Sequence, residues 1–244
     1  RRDVQGFDVD TIGVWAQLGS VTPIGRLTWG VEWYRDEVDS FRTDFAPDGS
    51  IAAVRIQGPV ADDATYDLVG AYVQNEIPIG EDLDLFLGGR WTWARADAGR
   101  VQDPETGDPT SITEDFDALV GSARAVWTPA GTEGLGFFGG VSQGFRAPNL
   151  SDLTRLDTAR SDEIETPAPG LEPERFLAFE GGVRYRTDTF AAEAAYYRTE
   201  IDDLIIRQPT GTLVEGDREV TKRNSGSGFV QGVELGASWE LQPG

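Results

Sequence analysis

The chain contains no cysteine, histidine or methionine and a single lysine, Lys222. These absences exclude disulfides, thiol and imidazole nucleophiles, a histidine general base and every soft metal ligand. A bound metal would have to be a hard, oxygen-ligated ion, and none is expected; no cofactor is expected either. Long hydrophobic runs are also missing. The longest, such as Leu85-Phe86-Leu87-Gly88-Gly89, are strand-sized and far below the ~18 residues of a helical membrane span. Basic residues are scarce. The net charge is −21, which repels phosphate backbones and sets nucleic acid aside as a partner. The sequence opens Arg-Arg-Asp without a signal-peptide pattern, so it is expected to have been excised from something longer.

What is present is alternation. Ile12, Val14, Ala16 and Leu18 interleave with Gly13, Trp15 and Gln17; Leu27, Trp29, Val31 and Trp33 interleave with Thr28, Gly30, Glu32 and Tyr34. This is the period of a sheet with two unlike faces. The pattern recurs in strands near residues 66–77, 83–93, 119–127, 135–141, 177–185, 190–206 and 233–239. Short turns fall at Thr22-Pro23-Ile24-Gly25, Gly80-Glu81-Asp82, Pro129-Ala130-Gly131-Thr132 and Thr187-Asp188, and residues 241–244 read as one more. Polar loops are predicted at residues 35–64, 97–113, 148–174 and 208–228. Brief turns at one end and long loops at the other are the asymmetry of outer-membrane barrels. The reading is all-β: about nine consecutive strands of an antiparallel transmembrane β-barrel, residues 1–244 forming part of one barrel domain. Nine is odd and the chain stops at a turn, so an open segment of a larger barrel is expected.

A soluble sandwich also alternates. Two features favour the barrel: Glu32, Arg90, Arg124, Glu180, Arg184 and Glu234 share their strand faces with many glycines, as a hydrated lumen would, and aromatic residues gather near strand ends. Those expected in interfacial girdles are Trp33 and Tyr34, Trp91 and Trp93, Trp127, Tyr185, Tyr196 and Tyr197, and Trp239. Asp36, Glu37 and Asp39 are close together but match no EF-hand spacing, and solvated charge is the plainer reading. A glycosidase on a soluble β-scaffold would use paired carboxylates, but none stands out from the general acidity, and no G-x-S-x-G motif occurs. An enzyme is not expected.

The segment Ser142-Gln143-Gly144-Phe145-Arg146-Ala147-Pro148-Asn149-Leu150-Ser151-Asp152-Leu153 resembles the "GFRAPxLxEL" stretch of TonB-dependent receptors. Leu171-Glu172-Pro173-Glu174 resembles part of their "NPxLKPE" element, without its Asn-Pro opening or its Lys. Residues 196–205 resemble "YYxTxIxDLI", and Asn224 with residues 228–235 resembles "N…GxxxGVEL". The resemblance covers residues 142–239 and implies the middle of an about 22-stranded barrel in the bacterial outer membrane. It further implies active uptake of a scarce, bulky nutrient such as an iron-siderophore or haem, energised by TonB through an N-terminal region absent from this sequence. The implied partners are outer-membrane lipid, TonB and a metal chelate or haem. Substrate contacts would come from loop residues Arg146, Asn149, Arg155, Arg160, Asp162, Glu163 and Arg207. Glu32, Arg90, Arg124, Glu180, Arg184 and Glu234 would face the lumen or plug, or form ion pairs between neighbouring strands. A passive porin, with the same wall and no plug, is the alternative.

Overall fold

The computed structural model describes residues 2–160, 162–214 and 216–241. The turn expected at residues 241–244 therefore lies mostly outside the described residues. Alternating, β-branched and aromatic segments form strands because their side chains fit a pleated surface with two different environments. In chain order these are β1 (Arg2–Thr22), β2 (Gly25–Phe45), β3 (Ile51–Val54), β4 (Asp62–Ile79), β5 (Leu83–Gln102), β6 (Pro109–Trp127) and β7 (Leu135–Arg146). Then follow α1 (Leu150–Thr154), β8 (Asp157–Arg160), β9 (Glu163–Thr166), β10 (Glu174–Arg186), β11 (Phe190–Asp202), β12 (Ile205–Val214), β13 (Asp217–Asn224) and β14 (Ser227–Trp239).

The main sheet is antiparallel and meandering, in the order β1-β2-β4-β5-β6-β7-β10-β11-β14, with β3 attached to β2. Its nine through-going strands agree with the number read from the sequence. The sheet is not closed on itself. All four short turns are where the alternation breaks. At the first, Gly25 takes φ +126°, and a Cβ there would run into the Glu76 carbonyl.

The first two long loops are shorter than predicted, and for both the correction has one cause. Residues 35–45 are not loop but the second half of β2, and β4 begins at Asp62. Likewise β5 runs to Gln102 and β6 starts at Pro109, leaving residues 103–108 as the turn. Reading the outward face across the sheet shows why. Val14, Trp33, Val69, Trp93 and Asp117 form one row of the register. The next row towards the long loops is Ile12, Arg35, Asp67, Arg95 and Asp115, and the next is Asp10, Glu37, Thr65, Asp97 and Thr113. The apolar face therefore ends along a register line, while the hydrogen-bonded ladder continues. Residues 25–33 of β2 supply the ~9–11 residues that a tilted strand needs to cross a bilayer. Residues 35–45 add about 35 Å of strand beyond it.

On the turn side of this line the outward face carries Leu18, Val31, Val73, Leu87, Val141, Phe179 and Leu235, all exposed. Trp33, Trp91 and Trp93 lie near its loop-side limit; Trp127, Tyr185 and Trp239 lie near the turns, with Trp127 stacked on Phe137 at 5.5 Å. Tyr196 is outward too. Tyr34 and Tyr197 are corrections to the expected girdles: strand parity puts both on the opposite face, Tyr34 against Gly13 and Tyr197 against Gly232. Asp36 also points to that opposite face, away from Glu37 and Asp39, and the described residues hold no acidic group able to cage a metal ion.

Candidate functional site

Glu32, Arg90, Arg124, Glu180, Arg184 and Glu234 all fall on one face, as the strand register requires. Ion pairs cross a glycine strand. Arg90 pairs with Glu32 over Gly70, where a Cβ would collide with the Arg90 guanidinium. Arg124 approaches Glu180 at 3.6 Å, its register partner through Gly140. Arg184 lies against Gly136, and Glu234 is opposite Ala195. Glycines thus give long charged side chains room to lie along the wall, and Arg90 with Glu32 and Arg124 with Glu180 neutralise each other between strands.

Nearer the long loops the same face turns small and apolar: Ala64, Ala94, Ala96 and Ala98 are almost wholly buried. What buries them is the long connection after β7. Leu150 and Leu153 of α1, with Ala168 and Leu171, pack against Val38, Ala64, Ala96, Ala98, Ile112 and Phe116. The predicted loop at residues 148–174 is therefore folded, containing α1, β8 and β9, and the loop at residues 208–228 contains most of the hairpin β12–β13. The two join in a second sheet, β12-β13-β9-β8, in which β13 and β9 run parallel. This layer covers the inner face of the wall at its loop end.

Polar contacts fix the layer. Asn149 caps α1: its side chain accepts from the Asp152 amide at 2.9 Å, and Asp152 accepts from the Asn149 amide at 3.2 Å. Asp152 also receives Arg146 Nη1 at 2.7 Å and Lys222 Nζ at 2.9 Å. Arg146 Nε reaches Glu174 at 2.6 Å, and the other Glu174 oxygen accepts from the Ile205 amide at 2.8 Å. Burial pushes the Asp152 carboxyl up, but the hydrogen bonds from Lys222 and Arg146 outweigh it and hold it below the usual carboxylate range. Asn224 bonds Glu172 in both directions, at 2.8 and 2.7 Å. Gln57 and the Ala61 amide tie the wall-side loop to Thr154. The same wall-side loop carries Arg55, which joins Arg42 on buried Asp44, at 2.7 and 3.1 Å.

Of the loop residues singled out from sequence, Arg146 and Asn149 are thus engaged inside the layer. Arg155 and Arg207 converge on Glu165, each Nε at 3.6 Å, while Lys222 stands at 3.4 Å. Glu165 is 2% exposed and its Oε1 has no hydrogen-bond partner among the described residues. Arg160 is exposed and opposite Glu163 in the β8–β9 ladder; Glu163 meets Arg218 at 3.5 Å; Asp162 takes a left-handed φ of 62° in the tight turn. Sequence reasoning missed Asp152, Glu165, Glu174 and Lys222 as organising residues. For Lys222, being the single lysine was a usable signal; Glu165 gave none.

Comparisons with known proteins agree with this geometry. A model of the "TonB dependent receptor-like, beta-barrel" family matches residues 2–243. Among solved structures, the haemophore receptor HasR of Serratia marcescens, in complex with its haemophore HasA and haem, superposes with TM-score 0.74 at 19% identity. It covers 96% of this chain and 40% of that one. The copper transporter OprC gives TM-score 0.77 at 20% identity, over 98% of this chain and 36% of that one. The FrpB iron transporter of Neisseria meningitidis gives 0.66 at 19%, over 97% and 34%. A comparison with curated protein sequences finds no match. At such identities the structural likeness is one of fold, and the chain spans less than half the length of each of these proteins. Barrels of this family are bacterial outer-membrane proteins. The chain belongs to the TonB-dependent receptors, and the nine strands are a continuous stretch of their β-barrel wall.

Proposed function

We propose that the whole protein is an outer-membrane transporter, energised through TonB, that takes up a scarce and bulky nutrient of the iron-siderophore or haem kind. The observation that carries this is family membership across residues 2–243. The similar structures bear names of haem, copper and iron transport, which supports a metal-bearing substrate. In this reading Arg155 and Arg207, one from each long loop and both partly exposed, are the first candidates for substrate contact. Arg160, Asp162 and Glu163 lie further out on the same layer, and Arg146 and Asn149 serve by holding it in place. Arg184 and Glu234 would meet the plug, while Glu32, Arg90, Arg124 and Glu180 brace the wall.

A passive porin would share the lipid-facing wall and an inward-packed loop, so energy coupling separates the two. Full-length protein in cells lacking their own iron receptors should accumulate a ferric siderophore or haem, and collapse of the proton gradient should abolish this. Accumulation that survives a protonophore would support the porin instead. Failure with every iron chelate, alongside gradient-dependent uptake of another solute, would overturn the substrate class alone.

A further inference from the structure

The wall is not continuous between β6 and β7. Their ladder runs from Trp127–Phe137 to Ser122–Ser142 and stops. Above that point β6 continues to Pro109 bonded to β5 alone, and β7 continues to Arg146 bonded to β10 alone. The two strands are consecutive and joined by residues 128–134, so no other strand of the meander belongs between them. Along a strand, the peptide groups of alternate residues point to the same side. The Gly121 amide points into the seam, where the Gln143 side chain accepts it at 3.1 Å. By the same alternation, the peptide groups of Asp117, Asp115 and Thr113 point the same way.

The folded loop layer passes behind this edge without pairing with it. Beside it stand Pro167 and Pro169, which have no N–H to offer; the Ala168 amide is directed inward to the Leu153 carbonyl at 2.9 Å, and the Gly170 amide donates to the Glu114 side chain at 3.0 Å, not to the β6 backbone. A cleft of about 390 Å³ lies between these prolines and Thr110, Ser111 and Glu114. Sheet edges are ordinarily blunted by Lys, Pro or a bulge. Residues 111–121 of β6 contain neither Lys nor Pro, and the bulge in the β5–β6 ladder lies on β5 opposite residues 110–112, leaving residues 113–121 in regular register. Asp117 shares a row with Trp33 and Trp93, which places the edge from Asp117 to Thr113 at and beyond the lipid boundary, on the loop side.

We propose that this edge of β6 docks an extended, basic segment of an extracellular polypeptide, which adds as a strand through backbone hydrogen bonds. Unpaired N–H and C=O groups at strand spacing select for a strand rather than a compact ligand. The sign of the partner follows from Asp97, Asp115 and Asp117 around the edge, with Arg95 shared at 3.4 Å between Asp97 and Asp115. Basic side chains at alternate positions of the incoming strand would meet this outward acidic row. The proposal does not depend on what the protein transports.

The test uses the full-length receptor in detergent and a fluorescent nine-residue peptide alternating Arg and Val. Anisotropy should report binding, and N-methylation of alternate peptide amides should weaken it by about ten-fold or more. An alternating Glu and Val peptide should not bind. Hydrogen exchange at Thr113, Asp115 and Asp117 should slow when the Arg peptide is present. The paired change Asp115→Asn and Asp117→Asn should weaken binding most at low salt, and the N-methylated arm holds even if that variant folds poorly. Equal binding of the N-methylated peptide would overturn the proposal, as would no binding at all. So would amides at these positions that are already protected in the free receptor.

Discussion

At the scale of single residues, the long-loop layer is held by a few charges removed from water. Asp152 joins the capping box of α1 to Arg146 on the wall and Lys222 on the neighbouring loop. Breaking a buried pair by removing one partner leaves an uncompensated charge, and for these partly buried cations the local cost is about 2–3 kcal/mol. Asp152→Ala should therefore loosen α1 and β13 while sparing the strands. Because Lys222 is the single lysine, its rate of acylation, read by peptide mass spectrometry, should rise in that variant. An unchanged rate would mean that the layer is held by its apolar contacts alone. The pH dependence has a definite sign. The Asp152 carboxyl is depressed in the folded state, so its contribution is complete above the unfolded carboxylate pKa of about 3.9. It is lost as pH falls through the lower folded value, and pepsin, an acid protease, should cut at Leu150 and Leu153 only in that acid range. Gly70 is a second sensitive point. Gly70→Ala forces apart Glu32 and Arg90 and should cost about 1–3 kcal/mol, seen as a lower denaturant midpoint in detergent.

At the scale of elements, the strands outrun the membrane. Residues 35–45 keep their full ladder to β1, and as far as Val38 to β4, while their outward face turns charged. Hydrogen exchange of the full-length protein should show residues 35–43 as protected as residues 25–33, and proteases should leave them intact. Fast exchange from Arg35 onward would restore the loop. The sequence shows where lipid ends and not where the strand ends, because alternation is visible only while the two faces see different solvents. Once Arg35, Glu37 and Asp39 face water like Asp36, the period-two contrast disappears although the backbone is unchanged. The short turns were legible for the opposite reason. Pro23, Gly80 and Gly131 act locally and interrupt strong alternation on both sides. The second sheet was not legible, because the β9–β13 pairing is between segments more than fifty residues apart and carries little alternation. The site was partly legible: the motif at residues 142–153 marked the right place, but only the fold shows Arg146 and Asn149 bonded inward.

At the scale of the whole molecule, the stretch of wall has an apolar outer face, a charged and glycine-rich inner face, and a folded cover over the inner face at one end. These environments are assigned by strand parity, which was fixed in the sequence for every through-going strand except where Tyr34 and Tyr197 joined the wrong side. The barrel assignment rests on that parity, and it can be read directly. Single cysteines at Val31, Val73 and Leu87 on the outer face, at Thr28, Gln74 and Ser122 on the inner face, and at Asp39 beyond the boundary would each carry a small fluorophore. The full-length protein would be placed in bilayers of ordinary or brominated lipid. Strong quenching by bromine at the three outer positions, with little at the inner positions and at Asp39, is the expected result. Equal quenching on both faces, or none at Val31, Val73 and Leu87, would contradict a wall with lipid on one side and a hydrated lumen on the other.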